Sequence, residues 1–213
     1  MKTLERPSLL RKTAYDRGPK RALDLTILLV AHLALLPLWL TLWIVLPILI
    51  VLDSGWPVFY RQKRVGRDGT VFDALKFRTM VVHADKIGPA WTDKNDPRIT
   101  RVGRVLRKTA LDELPQVLNI LKGDMSFVGP RALALEEHAL LVKSVPRFIE
   151  RVSLRPGLTG LAQVYGNRDD AREKISYDLR YVESVSLFLD MKLLFLSVWV
   201  TARGRWESRQ KKI

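Results

Sequence analysis

The chain has 213 residues, no cysteine and a formal net charge of +14. The absence of cysteine excludes disulfides and thiol chemistry, and the positive charge indicates an anionic partner such as nucleic acid, phospholipid headgroups or a phosphorylated metabolite. This length suits one domain with an appendage, and the sequence shows no internal repeat.

The first predicted element is a membrane helix over residues 25–52, which are apolar apart from His32 and two threonines. A straight helix of this length would measure roughly 42 Å, against about 30 Å for the hydrocarbon core of a bilayer. Pro37 predicts a break, because proline removes a backbone hydrogen bond and clashes with the preceding turn. The arms on either side, residues 25–36 and 38–52, would each reach only about 18–23 Å.

Two membrane topologies are compatible with this segment. Basic residues flank both of its ends, and such residues prefer the cytoplasmic side. A re-entrant helix that dips into one leaflet and returns would leave both flanks in the cytoplasm. A single tilted span is the alternative, because transmembrane helices tolerate proline. In the re-entrant reading, residues 1–54 form a basic N-terminus and membrane helix, and residues 55–213 form a cytoplasmic catalytic domain.

A β-hairpin is predicted next, with strands over residues 57–63 and 70–80. An Asp-Gly pair at Asp68 and Gly69 lies between the two β-like stretches, which is a hairpin signal. Alternation along the second strand places Lys76 and Arg78 on one face. Residues 85–97 are predicted to form a loop.

Two helices are predicted after this loop. Residues 99–108 read as a short amphipathic helix with basic residues on its outer face. A second helix should end at Gly123 and, because Pro115 fits only a first helical turn, should begin close to Asp112. Acidic side chains at a helix N-terminus are favoured by up to ~1 kcal/mol, and phosphate is favoured there as well.

The adjacent carboxylates Asp112 and Glu113 are the most informative feature of the sequence. They lie among many cations, which suits an anionic substrate. Neighbouring acids can divide the work of phosphoryl chemistry, one attacking phosphorus while the other holds a divalent metal.

Two Gly- and Pro-rich loops follow, over residues 123–131 and 155–160, and each contains one arginine suited to bind phosphate. A helix is predicted around residues 175–182. Residues 185–202 form a second apolar patch that charged residues interrupt, which favours an interfacial or core helix over a second span.

Several site classes are not supported by the sequence. The three histidines do not lie at zinc-ligand spacing, and neither the dinucleotide-binding nor the Walker-type glycine loop is present. Basic residues rarely alternate with aromatic ones, so no nucleic-acid partner is expected. The non-enzymatic alternative is a basic membrane-anchored protein that binds anionic lipid or nucleic acid.

The chain resembles the bacterial sugar transferases, the monotopic polyprenyl-phosphate phosphoglycosyl transferases, in their minimal catalytic-core form. The most specific likeness is residues 111–116 together with residues 123–131. The other matching stretches are residues 57–62, 65–66, 76–80, 96–100, 106–108, 119–122, 155–160 and 178–182.

The resemblance implies a two-step reaction and a set of site residues. It implies that Asp112 attacks the β-phosphate of a UDP-sugar, that UMP leaves, and that polyprenyl (undecaprenyl) phosphate then takes the phosphosugar. It assigns Mg²⁺ to Glu113 with Asp112. Candidate phosphate-binding and supporting residues are Lys76, Arg78, Arg107, Arg131, Arg155 and Asp178.

The resemblance also favours the re-entrant helix broken at Pro37, in a mostly helical α/β fold with a small β-hairpin. It implies the bacterial inner membrane, with the catalytic domain on the cytoplasmic face and phospholipid as a further partner. The sugar, the glycan pathway and the oligomeric state, homo-oligomers included, stay open. Three positions depart from the family pattern: Leu36 stands where serine is common, Ala132 where proline is usual, and Leu161 where tryptophan is common.

Overall fold

The computed structural model describes residues 14–88, 96–166 and 171–203. Within these residues the chain begins with helices α1 (Ala14–Arg17), α2 (Pro19–Ala34) and α3 (Leu36–Ser54), followed by strands β1 (Phe59–Val65) and β2 (Val71–Phe77). It continues with α4 (Arg101–Thr109), α5 (Gln116–Lys122), β3 (Ser126–Val128), α6 (Leu135–Ser144), β4 (Gly157–Thr159), α7 (Leu161–Tyr165), α8 (Ala171–Ser184) and α9 (Leu187–Ala202). The predicted α/β class, mostly helical with small sheets, is confirmed.

Strands β1 and β2 form the predicted antiparallel hairpin, in which Val65 pairs with Val71. The connecting turn holds Asp68 at φ 54° and Gly69 at φ 78°, a left-handed conformation that these two residue types tolerate. The first strand runs two residues beyond its predicted end, so Arg64 belongs to the sheet. The predicted loop that follows the hairpin lies partly outside the described residues, at 89–95.

The two regions predicted as plain loops contain a second, parallel pair of strands, β3 and β4. Glycine makes this pairing feasible, because a Cβ atom on Gly157 would lie only 2.0 Å from the Gly129 backbone nitrogen. The prediction of irregular loops was therefore wrong for this part. Turn-forming residues marked the region correctly, but they do not show that two such segments meet.

The acidic pair lies in a 3₁₀ turn, Leu111–Glu113, between α4 and α5. Helix α4 starts with a backbone N–H bonded to the Thr100 hydroxyl and ends at Ala110, whose φ is 58°. The predicted start of the next helix close to the acidic pair was wrong, because α5 begins only at Gln116. The chain resumes a tight turn directly after Ala110, and its hydrogen bonds to the third residue back favour 3₁₀ over α geometry.

The apolar segment forms two helices that break at Leu35, whose φ is −116° and ψ 27°. The break lies two residues before Pro37, because proline near a helix start needs no N–H partner and so belongs to α3. With 19 residues, α3 is about 28 Å long. It is the one helix among the described residues that is long and apolar enough to cross a membrane. The expectation that this arm is too short to span was wrong.

A ring stack and a hydrogen bond brace the break. The rings of His32 and Trp39 lie 4.5 Å apart and nearly parallel, and the Trp39 indole donates to the Ala31 carbonyl at 3.0 Å. In a straight helix, residues eight positions apart are separated by about 12 Å along the axis, so this bond requires a bend. The indole therefore stabilises the break in a chain that has Leu36 in place of a hydroxyl-bearing residue.

Helix α2 is attached to the rest of the domain through buried polar groups. The Lys20 ammonium lies 2.5 Å from Asp190 Oδ2 and donates to the Tyr181 hydroxyl at 2.9 Å. One turn further on, Asp24 accepts a hydrogen bond from the Ser126 hydroxyl at 2.9 Å. These contacts join the start of α2 to β3, α8 and α9.

The far end of α3 is attached to the same domain. Asp53 accepts the backbone N–H of Val102 at 2.8 Å, which joins α3 to the first turn of α4. The Arg78 guanidinium donates to the carbonyls of Ser54 and Gly55 at 2.9 and 2.5 Å. The two ends of the α2–α3 pair therefore lie on one domain, on the same side of the apolar break.

Helix α9 has one buried face and one exposed apolar face. Leu193 and Val200 are completely buried, whereas Phe188, Phe195 and Val198 are 81, 71 and 70% exposed. The predicted helix over residues 185–202 is confirmed. A helix that packs on a domain with one face and exposes large apolar side chains on the other is typical of an interfacial helix.

Candidate active site

A buried amide positions the site by joining α5 to β2. The side chain of Asn119 accepts the Leu75 backbone N–H at 3.0 Å and donates to the Asp73 carbonyl at 2.8 Å. Both bonds are made to the strand backbone, so the turn that precedes α5 is held beside β2. Lys76, the residue after Leu75, is thereby placed next to the acidic pair.

Lys76 binds both carboxylates. Its ammonium donates to Glu113 Oε1 at 2.7 Å and lies 3.8 Å from Asp112 Oδ2. All three side chains are mostly buried, with 12 to 19% of their surface exposed. Partial burial strengthens these charge interactions relative to water. The structure thus brings together three of the predicted site residues.

The electrostatic surroundings keep Glu113 ionised. Burial raises the pKa of its carboxyl group, but Lys76, Arg131 and Arg64 outweigh burial and hold that pKa below its ordinary value. Glu113 therefore carries its charge at neutral pH.

A small, partly open pocket lies beside this pair, lined by Arg64, Lys76, Glu113, Gln116, Met125, Arg131, Ala132, Gly157 and Leu158. Three of its side chains are cations and one is a carboxylate. Its charge favours phosphate.

Arg131 is positioned by a buried ion pair on its outer side. Arg151 donates to the Arg131 carbonyl at 2.7 Å and pairs with Asp178, to which its Nε atom donates at 3.0 Å. Burial raises the pKa of Asp178, and Arg151 opposes that effect. Asp178, predicted as a supporting residue, lies behind the pocket wall and acts on it through Arg151.

The structure does not place the other three predicted arginines in the lining of this pocket. Arg78 caps the end of α3, as described above. Arg107 donates from Nε to the Thr79 hydroxyl at 2.9 Å. Arg155 donates to the Gly123 carbonyl at 2.9 Å, at the C-terminal end of α5. Their proposed contacts with substrate stay predictions.

Sequence reasoning missed two arginines of the site, Arg64 and Arg151. A signal for Arg64 was present, because hairpin register places it on the same face as Lys76. The predicted strand stopped one residue too early to use it. Arg151 lies in a 3₁₀ segment, Phe148–Ser153, that has no periodic pattern to mark a buried cation.

The two carboxylates of the site suit a magnesium ion that protein and substrate bind jointly. They suit less well a metal ion that protein side chains alone would hold. Among the residues that the structure describes, no three His, Cys, Asp or Glu side chains converge. Mg²⁺ commonly binds one or two carboxylates together with substrate phosphates and water. Asp112 and Glu113 supply such a set.

Comparison with known proteins identifies several relatives of this chain. The chain is 44% identical over 189 residues to the exopolysaccharide production protein PSS of Rhizobium leguminosarum bv. phaseoli, covering 84% of this chain and 92% of that protein. It is 40% identical over 185 residues to the UDP-glucose:undecaprenyl-phosphate glucose-1-phosphate transferase of Caulobacter vibrioides, covering 84% of this chain and 68% of that protein.

A third relative is longer. The chain is 40% identical over 194 residues to the undecaprenyl-phosphate glucose phosphotransferase of Komagataeibacter xylinus, covering 86% of this chain but only 36% of that protein. The predicted enzyme class, a sugar-1-phosphate transferase, agrees with these names. The family described as bacterial sugar transferase matches residues 15–204. The chain therefore belongs to the bacterial sugar transferase family.

Proposed function

We propose that this protein transfers a sugar phosphate from a UDP-sugar to polyprenyl phosphate, with release of UMP. The observation that carries the proposal is the Asp112–Glu113 pair on Lys76, beside a cationic pocket that Lys76 and Glu113 line. The names of the relatives support both substrates and a role in exopolysaccharide production. Phosphoryl transfer needs positioning and charge neutralisation above all, which a cationic pocket supplies.

Asp112 is the proposed nucleophile. One of its carboxylate oxygens forms a bond to the β-phosphorus of the donor, and the bond from that phosphorus to the bridging oxygen breaks. UMP leaves with the bridging oxygen, and the phosphosugar stays on Asp112. A phosphate oxygen of the polyprenyl carrier then attacks the same phosphorus, which releases the polyprenyl-diphosphate sugar and restores the carboxylate.

Glu113 and Lys76 prepare the site for this attack. Lys76 lies within 4 Å of both carboxylates and compensates their charge before the anionic donor enters. Glu113, kept ionised by its cationic neighbours, is the proposed Mg²⁺ ligand together with Asp112. When bound, Mg²⁺ would neutralise phosphate charge and orient the oxygens.

We propose that α2 and α3 form a re-entrant helix in the cytoplasmic membrane. The two ends of the pair are attached to one domain, by Lys20 and Asp24 at one end and Asp53 at the other. The exposed apolar residues between these ends include Leu29, Val30, Leu33, Leu35, Leu36, Leu38, Leu40, Ile44, Val45 and Ile48. A bend at Leu35 would immerse them in one leaflet and return the chain to the cytoplasmic face.

This topology places the catalytic pocket at the headgroup level. Asp53 joins the end of α3 to α4, and α4 leads within three residues to Asp112. A carrier phosphate anchored by its polyprenyl chain would therefore reach the pocket without leaving the membrane. The exposed apolar face of α9 would contact phospholipid beside it.

The reaction is tested by mixing the purified protein, in vesicles that contain polyprenyl phosphate, with a panel of UDP-sugars and Mg²⁺. We expect UMP release from at least one donor, and Asp112→Asn should abolish it. Glu113→Ala should raise the Mg²⁺ concentration needed. Turnover of Asp112→Asn at the wild-type rate would remove Asp112 from its role. Steeply salt-dependent lipid binding without UMP release from any donor would instead support a non-enzymatic anchor.

The topology is tested by cysteine labelling, because the natural chain has no cysteine. Gly18→Cys introduces a thiol at the start of α2, where no atom lies within 4 Å of the new Cβ. Ser144→Cys marks the exposed end of α6. A membrane-impermeant maleimide should label both positions from the same side. Labelling from opposite sides would show a spanning helix.

A further inference from the structure

Arg64 is held in the wall of the catalytic pocket by two contacts that leave part of its guanidinium without a partner. One terminal nitrogen donates to the Ala132 carbonyl and the other donates to Gln62 Oε1 at 2.7 Å. Its Nε atom is buried and has no hydrogen-bond partner among the described residues. A buried donor without an acceptor is costly, so an incoming acceptor is favoured at this place.

Arg131 lines the same pocket and adds a second positive charge. Its guanidinium makes no hydrogen bond within the described part of the chain, although its backbone carbonyl is bound by Arg151. Burial and the charge of Arg131 lower the pKa of Arg64 to about 10. Two like charges that line one pocket, one of them partly buried, are compensated when an anion binds between them.

The hairpin sets the spacing between Arg64 and Lys76 along the sheet. Arg64 on β1 pairs with Phe72 on β2. Lys76 lies four residues beyond Phe72 on β2, and its side chain is on the same face of the hairpin as that of Arg64. At about 3.3 Å per residue, the two backbone positions are roughly 13 Å apart. Both side chains line the pocket, and Lys76 is the one that binds the acidic pair directly.

We propose that Arg64, together with Arg131, binds the phosphate that leaves with the nucleotide, while Lys76 and Asp112 act on the phosphate that is transferred. The proposal rests on the function proposed above, because it divides the donor diphosphate between the two ends of that pocket. Arg64 thereby lowers the free energy of the departing UMP. The carrier phosphate, which arrives after UMP has gone, approaches from the acidic end.

Binding of UMP alone tests the proposal without turnover. We expect Arg64→Gln to weaken UMP binding by about 10- to 100-fold, the usual range for a lost hydrogen bond between charged groups, measured by titration of the full chain in detergent. Arg61→Gln is the matched control, because Arg61 is exposed on the same strand and lies outside the pocket. Arg64→Lys keeps the charge without the planar fork and should give an intermediate loss.

Measuring the two half-reactions separately shows whether Arg64 acts on the phosphate of the donor or on that of the carrier. Arg64→Gln should slow formation of the Asp112 adduct from UDP-sugar, whereas attack of polyprenyl phosphate on an adduct already formed should proceed at the wild-type rate. UMP affinity within twofold of Arg61→Gln would overturn the proposal, and so would an equal slowing of both half-reactions. If Arg64→Gln does not fold, Arg64→Lys gives the same comparison. A wild-type protein that binds UMP but releases none from any donor would overturn the proposed function instead.

Discussion

Replacing Lys76 with methionine removes the cation that Asp112 and Glu113 share, while keeping most of the apolar stem. The lost hydrogen bond to Glu113, at 2.7 Å between charged groups, corresponds to about 1.5–3 kcal/mol. The lost attraction to Asp112 at 3.8 Å has an upper bound of about 4 kcal/mol at an effective dielectric constant of 20. The lost hydrogen bond alone predicts a fall in kcat/KM of roughly 10- to 200-fold, and the lost attraction to Asp112 adds to this fall.

The pH dependence of this variant follows from the direction of the Glu113 shift. Lys76 and the pocket arginines hold the pKa of Glu113 below its ordinary value, so the ionised form is lost only as the pH falls through that lowered pKa. Without Lys76 the pKa rises. The acid limb of the activity profile should therefore move to higher pH in Lys76→Met.

The assay is UMP release from a saturating and a limiting UDP-sugar concentration, across the pH range and at several Mg²⁺ concentrations. Lys63→Met is the control, because Lys63 is an exposed cation on the neighbouring strand. Lys76→Met with the same kcat/KM and the same acid limb as Lys63→Met would refute the electrostatic role given to Lys76.

Three further predictions concern the groups that position the site and the membrane helix. Asn119→Leu removes two buried hydrogen bonds to β2 and should lower the free energy of unfolding by about 2–4 kcal/mol. Denaturant titration in detergent measures this loss, and a loss below about 0.5 kcal/mol would contradict the positioning role of Asn119. Arg151→Met leaves the Asp178 carboxylate buried without its cation and should cost about 3–5 kcal/mol, whereas Arg151→Met combined with Asp178→Leu should recover much of that loss. Trp39→Phe keeps an aromatic ring but removes the hydrogen bond to the Ala31 carbonyl, and should destabilise the bent conformation by about 1 kcal/mol. The expected result is increased labelling of Gly18→Cys from the opposite side of the membrane. Unchanged labelling would show that this hydrogen bond does not stabilise the bend.

Local sequence signals predicted the local structure well. The Asp-Gly pair at residues 68–69 selects a tight turn, and the structure has the antiparallel hairpin there. The amphipathic pattern after Thr100 predicts α4, and the threonine hydroxyl caps it. These predictions succeed because each element depends on interactions between residues close in sequence.

The start of α5 shows where a correct local rule gave a wrong boundary. Pro115 does mark the region of a helix start, but the helix begins one residue after it. Ala110 ends α4 in a left-handed conformation, and the 3₁₀ turn with the acidic pair follows directly after it. Alanine carries no signal for this conformation, so the sequence could not reveal it.

Residues brought together by distant contacts could be predicted only in part. The family resemblance pointed to Lys76 and Arg131, and both line the pocket beside Glu113. The pairing of β3 with β4 could not be predicted, because it joins segments about 30 residues apart through glycine contacts that no periodic pattern records. Arg151 was missed for the same reason, since its partner Asp178 lies on a later helix.

The central claim is a covalent bond between Asp112 and the phosphosugar, and mass spectrometry tests it most directly. The protein is mixed with UDP-sugar and Mg²⁺ in the absence of polyprenyl phosphate, quenched and digested. We expect the peptide that contains Asp112 to gain the mass of one phosphosugar, and to lose that mass when polyprenyl phosphate is added before the quench. Product formation with no added mass on Asp112 at any time would contradict the account.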